Sequence, residues 1–511
     1  MPFDPNNISL YSITDLIGFI NSGEVTFDEL RQIGVNYLVQ DQIRKFLAEK
    51  DIWAMARQSR QGIDDYLAKY PDGFFVGEAD MARAQLEDDE TWRWAESRNT
   101  PQSYRTYLNR YPQGAHSFDA KMNIDMLEAE LVELKAELFA DMKESPWKYR
   151  ADDMRNFYNG VDLGDDNVRN YLQSQGGIGA RFLLKGMTIT HQDLIDNGVV
   201  PESFTQTDVM SPEFSMPQTK IDLLGDYPRD RTDVFFLGVP RSGKSSVLAG
   251  MLYQLRLDGN GRYVPHMVDG IDPCMAYYNG LIRSVGTKKP PVGTATDTVS
   301  FMQIEINDGR RQNDLSIVEM AGEAFQSAAN RISDTSMRGV WEQLGAETIL
   351  RNDNRKMLFF VLDYSTIKGI NQQCTEQDQL LTLESALRTL CYDGPNPSRP
   401  QEGCTMSRVE TVAIILTKSD LMGKATVAER MAEAQRYLTT NFRAFLKDLE
   451  MTCKQYGCNK ANDYRLYFLT FSLGNFYVGN TFEFNPTDSR EIINFIKTVT
   501  PSRSVKRFGI F

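Results

Sequence analysis

The stretch "VFFLGVPRSGKSS", from Val234 to Ser246, constrains the fold more than any other part of the chain. The apolar run Val234-Phe235-Phe236-Leu237 has the length and composition of a buried strand. It leads directly into Gly238-Val-Pro-Arg-Ser-Gly243-Lys244-Ser245, which fits G-x-x-x-x-G-K-[ST]. A helical segment, "SSVLAGMLYQL", follows. Such a loop turns its backbone N–H groups toward one anion, and glycine stands where a side chain would collide with it. Gly238, Arg241, Ser242, Gly243, Lys244, Ser245 and Ser246 are therefore expected to surround a nucleotide phosphate group. Lys244 would reach the β- and γ-phosphates, the Ser245 hydroxyl would bind Mg²⁺, and the helix starting there would turn its positive end to the same anion.

The rest of the second half repeats the alternation of short apolar strands with longer helical segments. Strands are expected at Val299–Ile306, Leu315–Val318, Met357–Leu362, Val412–Leu416 and Leu466–Phe471. This pattern predicts an α/β domain over 232–511, with a mostly parallel sheet covered by helices on both faces. One hairpin, turning near Asp308-Gly309, adds an antiparallel strand.

Within this half, "VAIILTKSDLM" delivers Thr417-Lys418-Ser419-Asp420 from the end of a strand, fitting [NT]-K-x-D. A carboxylate at Asp420 can accept from the N1–H and the exocyclic amine of guanine, a donor pair that adenine lacks, with Lys418 lying along the base. Another strand ends in Glu319-Met-Ala-Gly322, and "PPVGTATDT" upstream supplies Thr294, Thr296 and Thr298.

With these motifs in this order, residues 230–500 resemble a P-loop GTPase domain of the Ras-like, translation-factor-related class. The resemblance implies GTP or GDP with Mg²⁺ as the ligands. Glu319 would hold the metal through water, Thr296 is favoured over Thr298 and Thr294 to complete its shell, and the Gly322 N–H would sense the γ-phosphate. Ser472, in "LTFSLGN", corresponds loosely to the loop that touches the guanine oxygen. Two departures stand out. Glu319 replaces the usual aspartate with a side chain one methylene longer. Glu323 stands where many GTPases carry a water-orienting glutamine, so a carboxylate would face the γ-phosphate and hydrolysis would be slow. Lys244 and Glu323 are the residues assigned to catalysis. Gln326, Arg331 and Arg338 lie in a helical insertion after Gly322.

The first half reads differently. "WAMARQSRQGIDDYLAKYPDGFFVGEADMA" from Trp53 and "WAESRNTPQSYRTYLNRYPQGAHSFDAKMN" from Trp94 align at one offset of 41 residues. The pairs include Trp53/Trp94, Tyr66/Tyr107, Tyr70/Tyr111, Gly73/Gly114 and Ala79/Ala120. Each copy predicts a helix stopped by Tyr-Pro-x-Gly, since proline cannot continue a helix and glycine takes the turn. A fainter echo pairs "VTFDELRQIGV" (Val25 to Val35) with "ITHQDLIDNGV" (Ile189 to Val199), each with a helix-capping threonine and a glycine stop. The expected partition is a helical region with two repeats over 1–145, a small helical module over 146–204, a proline-bearing linker over 205–231 and the α/β domain over 232–511. The Tyr-Leu-x-x-Tyr-Pro-x-Gly repeats resemble helical adaptor repeats of bacterial multidomain proteins, which implies protein partners for this half.

Charge and composition exclude other classes. A formal net charge of −13 argues against general affinity for nucleic acid or anionic membrane. No apolar run approaches the ~20 residues of a membrane span, and no leader-like segment opens the chain, which points to the cytoplasm. Six scattered cysteines without a C-x-x-C pair read as reduced structural thiols, and three distant histidines give no zinc or triad pattern. The sequence expectation is thus a slow, Mg²⁺-dependent GTPase acting as a switch coupled to helical interaction repeats. It leaves open a nucleotide-dependent scaffold with little turnover, a P-loop ATPase, and pairing of two copies as a homodimer.

Overall fold

The structure is a computed structural model of the 511-residue chain. It describes residues 3–216, 227–291, 299–320, 346–368, 374–394, 398–399 and 401–505. Two compact units result, one of Met1–Leu138 with Asp162–Met187 and one of Phe139–Val161 with Thr188–Phe511.

The N-terminal region is all helical. In chain order its helices are α1 (Ile13–Ser22), α2 (Phe27–Gln32), α3 (Tyr37–Ala56), α4 (Arg60–Lys69), α5 (Val76–Arg98), α6 (Pro101–Arg110), α7 (Ser117–Glu144), α8 (Ala151–Asn159), α9 (Asp166–Gln175), α10 (Gly177–Leu184), α11 (His191–Asp196) and α12 (Gln206–Met210). Of these, α8, α11 and α12 belong to the second unit, and the division falls inside α7.

In the first unit the repeat has a physical basis. Glu49 on α3 accepts from the Tyr66 hydroxyl at 2.5 Å and from the Phe74 N–H at 2.8 Å, and the Tyr66 oxygen accepts from the Phe75 N–H at 3.1 Å. The second copy does the same with Asp88 on α5: it bonds the Tyr107 hydroxyl and accepts from the Ala115 N–H at 2.8 Å, while His116 N–H reaches the Tyr107 oxygen at 3.1 Å. Both carboxylates are buried. The glycine that ends each motif is required by close approach, because a Cβ on Gly73 would lie 2.0 Å from Glu49 Oε1 and one on Gly114 would lie 2.5 Å from the Tyr107 oxygen. The tryptophans pair differently from the sequence alignment. Trp92 is buried like Trp53, whereas Trp94 is 40% exposed. Two more residues separate Trp92 from its helix cap Thr100 than separate Trp53 from Ser59, which shifts the register ahead of the tyrosines.

The fainter echo is also real local structure. Thr26 and Thr190 each close a capping box, with Glu29 and Asp193. Val25 with Leu30, and Ile189 with Leu194, are buried at the positions of a hydrophobic staple, and Gly34 and Gly198 end the helices at φ 89° and 64°.

The second unit is built on an eight-stranded mixed sheet. Its strands are β1 (Thr232–Leu237), β2 (Gly261–Val264), β3 (Val299–Asn307), β4 (Arg311–Met320), β5 (Arg355–Asp363), β6 (Val409–Thr417) and β7 (Tyr467–Phe471). A separate hairpin pairs β8 (Gly474–Tyr477) with β9 (Thr481–Phe484), and β10 (Arg503–Ser504) joins the large sheet beside β4. The order is β2-β3-β4-β1-β5-β6-β7. β1 and β4 to β7 are mutually parallel, and β3 runs antiparallel to β4, as the Asp308-Gly309 turn predicts. The β10 pairing, antiparallel to β4, anchors a tail segment that has no strand signal in the sequence.

The helices of this half are α13 (Lys244–Leu257), α14 (Met275–Gly286), α15 (Ala346–Arg351), α16 (Glu376–Tyr392), α17 (Val427–Asn441), α18 (Arg443–Tyr456) and α19 (Pro486–Val499). Strand alternation sends Phe235 and Leu237 into one core with Leu383, Leu438 and Leu449, and Val234 and Phe236 into the other with Leu248, Leu281 and Ile492. Both faces are therefore covered, as near-continuous apolar strands require. Within the same unit, the Lys288 ammonium donates to Ser203 O at 2.8 Å and to Asp208 at 3.0 Å, so α12, from the stretch expected as a linker, is fastened to the turn after α14 and packs against α8. All six cysteines are buried, and none forms a disulfide. Among the described residues no helix is long and apolar enough to cross a membrane.

Candidate functional site

In an open α/β sheet, ligands bind outside the carboxyl ends of the strands, where consecutive connections diverge. That place is the end of β1, whose parallel neighbours β4 and β5 lie on opposite sides of it. The loop 238–243 and the first turn of α13 occupy this end. A Cβ on the buried Gly238 would lie 2.3 Å from Val361 O and 2.8 Å from Ser242 Oγ, so only glycine lets the loop seat on β5. Gly243 has φ 92° and caps α13, and the exposed Arg241 has φ 62°, a conformation uncommon outside glycine. The Lys244 ammonium folds back over the loop and donates to Gly238 O at 2.9 Å and Val239 O at 2.8 Å. Ser242 Oγ is buried without a hydrogen-bond partner among the described residues, and Ser246 is half-buried at the start of α13.

The segment Thr417–Asp420, at the end of β6, meets this loop. Thr417 Oγ1 lies 2.6 Å from Ser242 O and 2.9 Å from Leu362 O. A Cβ on Gly243 would sit 3.2 Å from the Thr417 side chain. Lys418, at φ 57°, sends its ammonium to Asp363 Oδ2 at 2.6 Å and Ser365 Oγ at 3.0 Å, at the end of β5. Asp420 keeps one carboxylate oxygen, Oδ1, buried and without a partner among the described residues. Burial holds its carboxyl above the usual carboxylate range, against the opposing hydrogen bond from Ser472. Asp420 and Ser472 line a cavity of about 350 Å³ with Lys424, Arg430, Asn475 and Asp488, which is within the range of about 300–1,000 Å³ typical of small-molecule sites.

At the end of β4, Glu319 is fully buried. Ser245 Oγ donates to its Oε1 at 2.5 Å, and the Tyr277 hydroxyl of α14 donates to its Oε2. Ser245 and Glu319, predicted from separate motifs, are therefore in direct contact. Their oxygens are the hard donors that suit Mg²⁺, an ion that keeps several waters and takes few protein ligands. Among the described residues no group of three or more His, Cys, Asp or Glu side chains is arranged to hold a metal by itself. Thr296, Gly322 and Glu323 lie outside the described residues, as do Thr294, Thr298, Gln326, Arg331 and Arg338.

Several contributors carry no motif. Asp488, near the start of α19, accepts from the Ser472 N–H at 2.9 Å and from Ser419 Oγ at 3.2 Å and pairs with Arg430. It ties the two loops beside Asp420 together. Burial raises its carboxyl as well, against the charge of Arg430. Asp363 had a usable signal, since it is the one charge closing the apolar run "MLFFVLD". Tyr277 and Asp488 had none, because their partners lie far away in sequence. Neither a protein-family model nor a curated protein matches the chain.

Proposed function

We propose that this chain binds guanine nucleotide with Mg²⁺ and hydrolyses GTP slowly, its helical N-terminal region engaging protein partners according to the nucleotide bound. One observation carries the reading: Thr417 Oγ1 stands 2.6 Å from Ser242 O, so the phosphate-loop pattern and the base-reading pattern, found independently in sequence, share one site. The order of the strands, with an antiparallel β3 leading into β4, supports the same class. The buried thiols suit a reducing compartment such as the cytoplasm.

In this reading the loop's backbone N–H groups and the N-terminus of α13 bind the phosphates. Lys244 gives up its two carbonyl partners for phosphate oxygens, exchanging neutral acceptors for charged ones. Asp420, with an unsatisfied oxygen, accepts from guanine, and Asp363 holds Lys418 in place at the base edge. Ser245 and Glu319, with Thr296 as the expected third member, hold the metal, which when bound neutralises phosphate charge. Glu323, which the sequence motif assigns to the γ-phosphate, keeps turnover low. Calorimetric titration of the full chain with GDP, GTPγS and ATPγS in Mg²⁺ tests the proposal. A guanine preference of about tenfold or more, roughly 1.4 kcal/mol, is expected. Equal or tighter ATPγS binding would overturn the guanine assignment.

A further inference from the structure

The longer acid at the metal position poses a geometric problem that α14 resolves. Glu319 carries one more rotatable bond than the aspartate expected there, so its carboxylate has more orientations to lose before it can serve a cation. Here it loses them in advance. Ser245 Oγ, on α13, donates to Oε1 at 2.5 Å, and the Tyr277 hydroxyl, on α14, donates to Oε2. With a donor from a different helix on each oxygen, the carboxylate is held against rotation about its last bond. Because Ser245 gives its proton to Glu319, its oxygen can offer a lone pair to a metal ion.

Tyr277 is itself well held. It is 2% exposed, within the core formed by α13, α14 and α19. The turn after α14 is fastened at Lys288, by Ser203 O and Asp208, and at Lys289, whose buried ammonium donates to Gly479 O at 2.5 Å. A hydroxyl on so fixed a helix is the outer partner that sets a ligand's orientation.

We infer that Tyr277 is a positioning residue for the metal, fixing the Glu319 carboxylate so that a glutamate can stand where the shorter acid is usual. The inference rests on the guanine-nucleotide reading. Loss of an outer partner of this kind typically lowers metal affinity about 10–100-fold.

The test is the Mg²⁺ dependence of N-methylanthraniloyl-GDP release from the full chain. Tyr277→Phe is expected to need about tenfold more Mg²⁺ to retain the probe, roughly 1.4 kcal/mol, and to release it like the unsubstituted chain once EDTA removes the metal. Glu319→Asp supplies a second arm, since its shorter side chain cannot span both hydroxyls. Adding Tyr277→Phe to Glu319→Asp should then cost little more, and equal losses in both backgrounds would count against the inference. If the unsubstituted chain responds to Mg²⁺ and Tyr277→Phe responds identically, the role of Tyr277 falls and the nucleotide reading stands. If the unsubstituted chain fails to bind the probe, or releases it alike with and without Mg²⁺, the metal reading itself falls and this inference falls with it.

Discussion

In the proposed guanine site, Asp420 would face opposite demands from solvent and ligand. Its buried Oδ1 lacks a donor among the described residues, and burial favours the protonated form, yet guanine offers two N–H donors that need the charged carboxylate. Hydrogen bonds to a charged group contribute about 1.5–3 kcal/mol each, so Asp420→Asn should weaken GDP binding by roughly tenfold or more and gain xanthine nucleotide, whose oxygen accepts from the amide. Unchanged GDP affinity in a competition assay would remove Asp420 from the site. The sign of the pH effect follows from the raised carboxyl: the ligand selects the ionised form, so guanine preference is complete above the raised value and falls as pH drops through it. The ratio of GDP to ADP affinity, which cancels phosphate titration, should decline as pH falls through the raised value, earlier than for an ordinary aspartate near 3.9. In Asp420→Asn that ratio should be flat. Lys244→Ala should abolish binding of every nucleotide, and retained tight binding of any of them would refute the loop assignment.

Among the elements, the helical repeat is the one whose rule is clearest. In each copy a buried carboxylate, a tyrosine and a turn N–H close a triangle too tight for any side chain at the glycine. Tyr66→Phe leaves Glu49 short of a donor and should cost about 1–3 kcal/mol, read as a lower urea midpoint of helix ellipticity. Gly73→Ala should cost as much, because Glu49 cannot yield without breaking both its bonds. Tyr66 and Tyr107 are each pushed up to about 12, by burial first and by the hydrogen bond to Glu49 or Asp88 second. A raised tyrosine stabilises fully below its unfolded value of about 10, and that stability is lost as pH climbs through about 12. Helix ellipticity should therefore fall across this window, and Tyr66→Phe should flatten the fall. Much of this was legible in sequence, because Tyr-Pro-x-Gly punctuates both copies. The tryptophan pairing was not, since identical residues at Trp53 and Trp94 outweighed the two extra residues between Trp92 and its helix cap. Strands β1 and β3 to β7 were readable as apolar runs. β2, with "GRYV" on a half-buried edge, and the β8–β9 hairpin, cut by Asn and Gly, lack such a run. At the site, Lys244, Ser245, Thr417 and Asp420 were readable because a loop and a strand end keep their chemistry contiguous. Tyr277 and Asp488 act across folds of the chain, where spacing carries no information.

For the whole molecule, the question is whether the helical unit senses what the sheet unit binds, and the tryptophans permit an answer. Trp53, Trp92 and Trp94 lie in the first unit and Trp147 in the second, with Trp341 outside the described residues. With Trp147 and Trp341 replaced by phenylalanine, tryptophan fluorescence reports on the helical unit, while calorimetry reports on both. GDP at about 100 times its dissociation constant stabilises what binds it by about 2.7 kcal/mol. For a unit of this size that is a rise of roughly 4 °C in the calorimetric transition of the sheet unit. A switch demands more than this, because a ligand shifts a distant element only through a difference in affinity between that element's two states. The fluorescence transition of the helical unit should then differ between saturating GDP and saturating GTPγS, even where the sheet unit is stabilised equally by both. If the fluorescence transition is the same with either nucleotide and without any, the helical repeats do not read the γ-phosphate. The chain would then be a scaffold on which bound nucleotide has a structural part only, and the slow turnover expected from Glu323 would follow from that role.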